Sequence, residues 1–270
     1  MLKSRNCLLI PLTPNPYLYP TMQAKPFLKE IQLKRSMVPS FDTYPFQIPA
    51  IRSLNSLKFH PDVTFIIGEN GSGKSTLIEA IALQMGFSTE GGSKNAQFQT
   101  HNNSSQLFNY LTGIKSFKKP TDYFFLRAES YYNLATYMEN AYESEKDRDT
   151  FERQYGVRSL HECSHGESFM ATLTNRLTGN GLYIFDEPEA ALSPNRQMAA
   201  LSLINTLVNE NSQFIIATHS PILLAYPGAT IYQLDDSGIK QVRYEETEHY
   251  MVTKHFLNNY SEMTRILFSE

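Results

Sequence analysis

One nine-residue stretch, Gly68-Glu69-Asn70-Gly71-Ser72-Gly73-Lys74-Ser75-Thr76, has the residue types and spacing that phosphate chemistry needs. Gly68, Gly73, Lys74 and Ser75 fit the pattern glycine, four residues, glycine, lysine, then serine or threonine, the phosphate-binding P-loop. Its glycines let the backbone bend until successive N–H groups point at a phosphate, and the helix that follows adds its positive end. Lys74 is then the cation for the β- and γ-phosphates, and the Ser75 hydroxyl is a ligand for Mg²⁺. Asn70, Gly71, Ser72 and Thr76 complete the cradle.

Two carboxylates stand further along, where Gly181-Leu182-Tyr183-Ile184-Phe185 runs into Asp186-Glu187-Pro188-Glu189. A buried strand would set Asp186 beside the P-loop, where it holds Mg²⁺ through water. Glu187, one residue on, can orient and polarise an attacking water as a general base. A third apolar run, Gln213-Phe214-Ile215-Ile216-Ala217, leads to His219, whose neutral ring can contact the γ-phosphate and help position that water. Ser164-His165-Gly166-Glu167 begins a helix, and Ser164 and Glu167 have capping-box spacing that needs no ligand. Its place shortly before the Asp-Glu strand is what suggests a functional role as well.

Positioning these groups requires strands and helices in a definite order. Val63–Ile67 is a β-branched and aromatic run before the P-loop, and Leu77-Ile78-Glu79-Ala80-Ile81-Ala82 has helical spacing after it. Phe27–Lys34 alternates as a half-buried strand. Phe46–Leu57 reads as a second extended stretch broken by prolines, and with Lys58–Ile67 the three suggest a small antiparallel sheet. Of Tyr44 and Phe46, either can stack on a base, though core packing is the expected job for both. Gly86–Ser105 is polar and reads as exposed loops or edge strands, Leu107–Ile114 as a short helix and Asp122–Leu126 as a buried strand. Tyr131–Arg153 reads as one helix, too short and too poor in heptads for a coiled-coil arm. Ile231–Leu234 and Ile239–Tyr244 form a hairpin through Asp235-Asp236-Ser237-Gly238, and 246–268 reads as helical with no demand for chemistry.

Composition bounds the rest. A chain of 270 residues can bury a substantial core, and a net charge of −3 provides no global basic field for nucleic acid. Cys7 and Cys163 are the only cysteines, too few for a disulfide framework, so a reducing cytoplasm is the default setting. No apolar stretch approaches transmembrane length, so a membrane role would run through a separate permease. Residues 1–21, with four prolines after a short apolar run, read as a disordered leader or as sequence before a true start at Met22. Residues 22–270 then form a single domain, with a helical and loop subdomain inserted at about 86–178.

The P-loop, Ser-x-Gly-Glu, apolar-Asp-Glu-Pro-Glu and strand-histidine, in that order over residues 27–244, resemble the ABC-type ATPases. The chain is most similar to the stand-alone ATPases grouped as the AAA family, near the RecF, SMC and OLD-type heads. The resemblance implies an α/β P-loop fold: a mostly parallel core sheet flanked by helices, a small N-terminal antiparallel sheet and a helical subdomain. It implies ATP and Mg²⁺, an ATP-dependent homodimer, and Ser164, Gly166 and Glu167 completing the opposite subunit's site. It assigns Ser193 to the D-loop, His219 as the switch histidine and Glu129 to the Q-loop position, where it can meet Mg²⁺ as a charged ligand. His165, Glu167, Ser193 and Glu129 depart from the transporter pattern of Gly, Gln, Asp and Gln.

Three functions compete on this reading. The first is a dimeric ATP-driven switch acting on nucleic acid or a partner protein, in a repair or defence role. The second is the ATP-binding subunit of a membrane transporter. A non-catalytic nucleotide sensor is the weakest, because Lys74, Asp186, Glu187 and His219 are all present.

Overall fold

The computed structural model describes residues 25–93, 105–140, 142 and 145–269. The leader at 1–21 and the 94–104 part of the polar stretch lie outside these.

The apolar runs become strands of one sheet: β3 (Val63–Gly68), β5 (Asp122–Arg127), β6 (Gly181–Asp186), β7 (Gln213–Ala217), β8 (Thr230–Asp235) and β9 (Gly238–Val242). They lie in the order β5-β6-β7-β3-β8-β9. All neighbouring pairs are parallel except the β8–β9 hairpin. Strands β3, β6 and β7 are buried along their whole length, which is why they read as continuous rather than alternating apolar runs. Successive side chains still face opposite sides of the sheet. Phe65, Ile67, Tyr183, Phe185, Phe214 and Ile216 enter one core, and Ile66, Leu182, Ile184, Ile215 and Ala217 enter the other.

The first core is closed by α6 (Pro194–Asn209) together with α3 (Tyr131–Asn140), α4 (Glu145–Tyr155) and α5 (His165–Ala171). The second is closed by α2 (Lys74–Met85) and a separate antiparallel sheet. That sheet has the order β2-β1-β4, from β1 (Leu28–Leu33), β2 (Ser56–Lys58) and β4 (Leu111–Lys115). The α/β architecture expected from the sequence is therefore present: a mostly parallel sheet flanked by helices beside a small antiparallel one.

Several local expectations are corrected. The stretch 46–57 is extended only at its end, where β2 begins at Ser56: Pro49–Ser53 is a helical turn, α1, with Pro49 at a first-turn position where its missing N–H costs nothing. Ala50 and Ile51 are thereby turned into the second core. Leu107–Ile114 is not a helix; a 3₁₀ turn at Gln106–Tyr110 passes into β4, which pairs with β1. It is β4 that completes the small sheet, while β3 joins the large one. Tyr131–Arg153 is two helices rather than one, and the tail is also two, α7 (Glu248–Asn258) and α8 (Tyr260–Phe268). The described start of the polar stretch is buried at Phe87, Thr89, Glu90, Gly91 and Gly92, and Gly92 bridges to Phe125.

Candidate functional site

Strand register gathers the chemistry at one edge. Arg127 of β5 is level with Asp186 of β6, which is level with Ala217 of β7, so the segments after these strands emerge side by side next to the P-loop. The P-loop turns through left-handed backbone, with φ of +85° at Gly71 and +97° at Gly73. At Gly73 a side chain would also meet Ile48, whose Cγ2 is 2.8 Å from the place of a Cβ. The first N–H groups of α2 have no acceptor within their own helix and so are free for a ligand at that end.

Lys74 is buried, and its ammonium donates to the Glu69 carbonyl at 2.9 Å, spanning the loop. Burial holds its pKa below the ordinary lysine value, against the opposing pull of Glu187, Asp186 and Glu189. The Ser72 hydroxyl is buried without a hydrogen-bond partner among the described residues. A cavity of about 540 Å³ opens over Asn70, Gly71 and Ser72, walled by Asp235, Ser237 and His249. Thr76 Oγ1 lies 3.3 Å from the Tyr44 hydroxyl, whose residue is 62% exposed. Phe46 instead packs in the core, edge-on to Tyr110 at 4.9 Å between ring centres.

Ser75 and Asp186, two of the three groups expected to meet Mg²⁺, are in contact: the Ser75 hydroxyl donates to Asp186 Oδ1 at 3.4 Å. Arg127 stands on the other side of this carboxylate, its Nε 3.5 Å from Asp186 Oδ2. The same guanidinium reaches Glu79 on α2 at 2.9 Å and Glu129 at 3.4 Å. Burial raises the Asp186 carboxyl to about 7; Arg127 opposes the rise and Glu187 adds to it. The Glu129 side chain is 83% exposed and reaches the cluster through Arg127.

Glu187 occupies left-handed backbone, φ +52° and ψ +51°, an unusual conformation for a residue with a side chain. Its N–H donates to the Ala217 carbonyl at 2.9 Å, which ties this turn to the end of β7. Its carboxylate lies 3.7 Å from His219 Nε2. The His219 loop is anchored by half-buried Glu189, which accepts from the Thr218 hydroxyl at 2.7 Å and from the His219 N–H. His219 Nδ1 is 3.0 Å from Nε2 of His249, on α7.

The structure thus brings Lys74, Ser75, Asp186, Glu187 and His219 together and sets Ser164, Gly166 and Glu167 elsewhere in the chain. The Glu167 carboxylate accepts from both the N–H and the hydroxyl of Ser164, at 3.0 and 2.7 Å, closing a capping box on α5. Gly166 is pressed against Ala191 and Arg196, and a Cβ there would lie 2.8 Å from the Ala191 carbonyl oxygen. Arg196 also pairs with Glu167 at 3.3 Å.

Arg127, Glu189 and His249 had no assigned role in the sequence reading. Glu189 was visible as the second acid of Asp-Glu-Pro-Glu, and Arg127 as the charge ending an apolar strand. His249 carried no signal; the tail, in which the sequence demands no chemistry, nevertheless packs the first turn of α7 over the P-loop cavity and sets His249 against His219.

Sheet order, strand polarity and the loop between β3 and α2 define the class: an ABC-type P-loop ATPase domain. The profile of the AAA domain family matches residues 46–183, just over half of the chain, and that of the AAA ATPase domain matches residues 165–224. The chain belongs to the AAA domain family. Among curated relatives, the energy-coupling factor transporter ATP-binding protein EcfA1 of Fusobacterium nucleatum is 32% identical over 165 residues, covering 57% of this chain and 62% of its own. A Bacillus cereus protein named as an ABC transporter ATP-binding protein is 25% identical over 198 residues, covering 67% of this chain and 35% of its own. The chain therefore spans less than two thirds of either relative. Among solved structures, the SMC head domain from Thermotoga maritima superposes with a TM-score of 0.41 at 17% identity, over 80% of this chain and 98% of that one.

Proposed function

We propose that this protein hydrolyses ATP to ADP and phosphate with Mg²⁺, and that two copies closing on the nucleotide form a switch acting on nucleic acid or a partner protein. The observation that supports it most is the meeting of Lys74, Ser75, Asp186, Glu187 and His219 at one sheet edge. The residues present suit both ligands. The unpartnered Ser72 hydroxyl and the open end of α2 offer donors to phosphate oxygens, and the Ser75–Asp186 contact offers oxygen ligands to a small hard cation. Mg²⁺ supplies charge neutralisation at the β- and γ-oxygens when bound. Lys74 draws the terminal phosphates to the loop, and exposed Tyr44 beside Thr76 is the better of the two aromatics to stack on the base. Glu187 takes a proton from the attacking water, and its αL turn aims the carboxylate at the His219 ring. Glu129, through its pairing with Arg127, is assigned a part at the metal side of the site.

In the proposed dimer, Ser164, Gly166 and Glu167 cover the partner's nucleotide, while in their own chain Ser164 and Glu167 close the capping box of α5 and Gly166 packs against Ala191 and Arg196. Residues 22–270 act as one ATPase unit, and the cytoplasm is the proposed location. Among the described residues no helix is long and apolar enough to cross a membrane. A transporter ATP-binding subunit is the second reading, favoured by the 32% identity to EcfA1. Turnover measured alone, with duplex and single-stranded DNA and with RNA, tests the proposal. Stimulation by nucleic acid supports the switch reading, and a Lys74→Ala variant hydrolysing at the wild-type rate would falsify the assignment of turnover to this P-loop.

A further inference from the structure

α7 delivers one imidazole to another at the heart of the site. His219 Nδ1 and His249 Nε2 are 3.0 Å apart, with ring centres 5.2 Å apart. The outer nitrogens, His219 Nε2 and His249 Nδ1, are both buried with no hydrogen-bond partner among the described residues. Burial and the nearby Lys74 ammonium hold both rings below the ordinary histidine value, so each carries one proton near neutrality.

One shared hydrogen bond between two neutral imidazoles admits two arrangements. If His219 donates, its Nε2 carries a lone pair facing the Glu187 carboxylate 3.7 Å away, and His249 is left with a buried N–H that has no acceptor. If His249 donates, the His219 proton sits on Nε2, directed at the Glu187 carboxylate. The atom left over on His249 is then a bare acceptor. A buried orphan N–H is rarer and costlier than an under-used acceptor, and a lone pair against a carboxylate is repulsive.

We infer that His249 is a positioning residue that donates from Nε2 to His219 Nδ1 and thereby holds the His219 proton on Nε2, toward Glu187 and the reacting phosphate. It acts through His219 rather than on the substrate. The bond also ties the first turn of the C-terminal helical pair to the group that orients the water. This inference rests on the ATPase reading above and adds a residue from a part of the chain that reading does not use.

The test separates the two. Histidine-selective ¹⁵N labelling of the nucleotide-free full chain, with His249→Phe and His219→Gln variants to assign the signals, reads the protonation of all four ring nitrogens. Protons on Nε2 of both rings are expected, with His219 Nδ1 shifted as a hydrogen-bond acceptor and that shift lost in His249→Phe. A proton on His219 Nδ1 overturns the inference whatever the turnover data show. In turnover, His249→Phe should lower kcat roughly tenfold to a hundredfold with KM moved less than about twofold. His249→Gln, whose amide can place a donor near the same point, should recover most of the loss. If both variants keep wild-type kcat while His219→Gln and Glu187→Gln are inactive, the ATPase reading stands and the positioning role falls. If His219→Gln and Glu187→Gln are fully active as well, the proposed placement of the hydrolytic chemistry at Glu187 and His219 fails first, and the positioning role falls with it.

Discussion

Asp186→Asn should stabilise the nucleotide-free protein, and by more at alkaline than at acid pH. Asp186 is nearly fully buried, its side chain 5% exposed, and folding lifts its carboxyl from 3.8 to about 7. A carboxyl raised on folding is one whose ionised form the fold disfavours. The resulting penalty is absent below 3.8, grows through the window up to 7 and is complete above it. A rise of about three units corresponds to roughly 4 kcal/mol at pH 8.5, and to roughly 2 kcal/mol at pH 5, where the folded carboxyl is already neutral. Asparagine keeps the shape and never ionises, so its advantage over aspartate should grow by about 2–3 kcal/mol between the two pH values. For a chain of this size that is an additional rise in melting temperature of roughly 5–8 °C. The assay is paired thermal melts of wild type and variant in EDTA at pH 5 and pH 8.5, compared as a double difference so that other titrating groups cancel. An advantage equal at both pH values, or a variant less stable at pH 8.5, would refute the reasoning and show that Arg127 outweighs desolvation. Adding Mg²⁺ with nucleotide should reverse the order at pH 8.5, because the charged carboxylate holds the cation more strongly than a neutral amide oxygen does.

Glu187→Gln keeps the turn and removes the base, so it should bind ATP, lose roughly 10²–10⁴ in turnover and accumulate a dimer in ATP by light scattering; an ATP-bound variant that stays monomeric argues against closure of two copies. Mixing inactive Lys74→Ala with inactive Ser164→Arg chains tests a shared site: half the randomly formed dimers hold one intact site, so about a quarter of wild-type activity should return. Strictly no recovery, with folding and subunit exchange shown, would instead assign Ser164 to capping its own helix. His219 and His249 are both held below 6.5, so the folded state resists their protonation while the unfolded chain accepts it. Stability should therefore rise with pH through the region around 6.5, and the double Gln variant should show a shallower rise in denaturant titrations at pH 5.5 and 7.5. An unchanged slope would mean the rings are not buried neutral.

What the sequence determined by itself was the local chemistry of short, strongly patterned segments. The P-loop pattern declares itself because each residue type is required by backbone geometry or charge within nine positions. The runs ending in Asp186 and His219 are legible because strands buried on both faces have little polar content to confuse them. Weaker stretches were misread where burial overrode pattern: Pro49–Ser53 turns helical to bury Ala50 and Ile51, and Leu111–Lys115 becomes a strand because β1 offers it an edge. Only tertiary structure decided which distant charges meet. Arg127 finds Asp186 because two parallel strands are in register 59 positions apart, and no local pattern encodes that alignment. His249 finds His219 because α7 folds back over the P-loop cavity; a lone histidine in an amphipathic helix carries no mark of the ring it will face. Spacing along the chain specifies what each segment can do, and packing specifies which segments do it together.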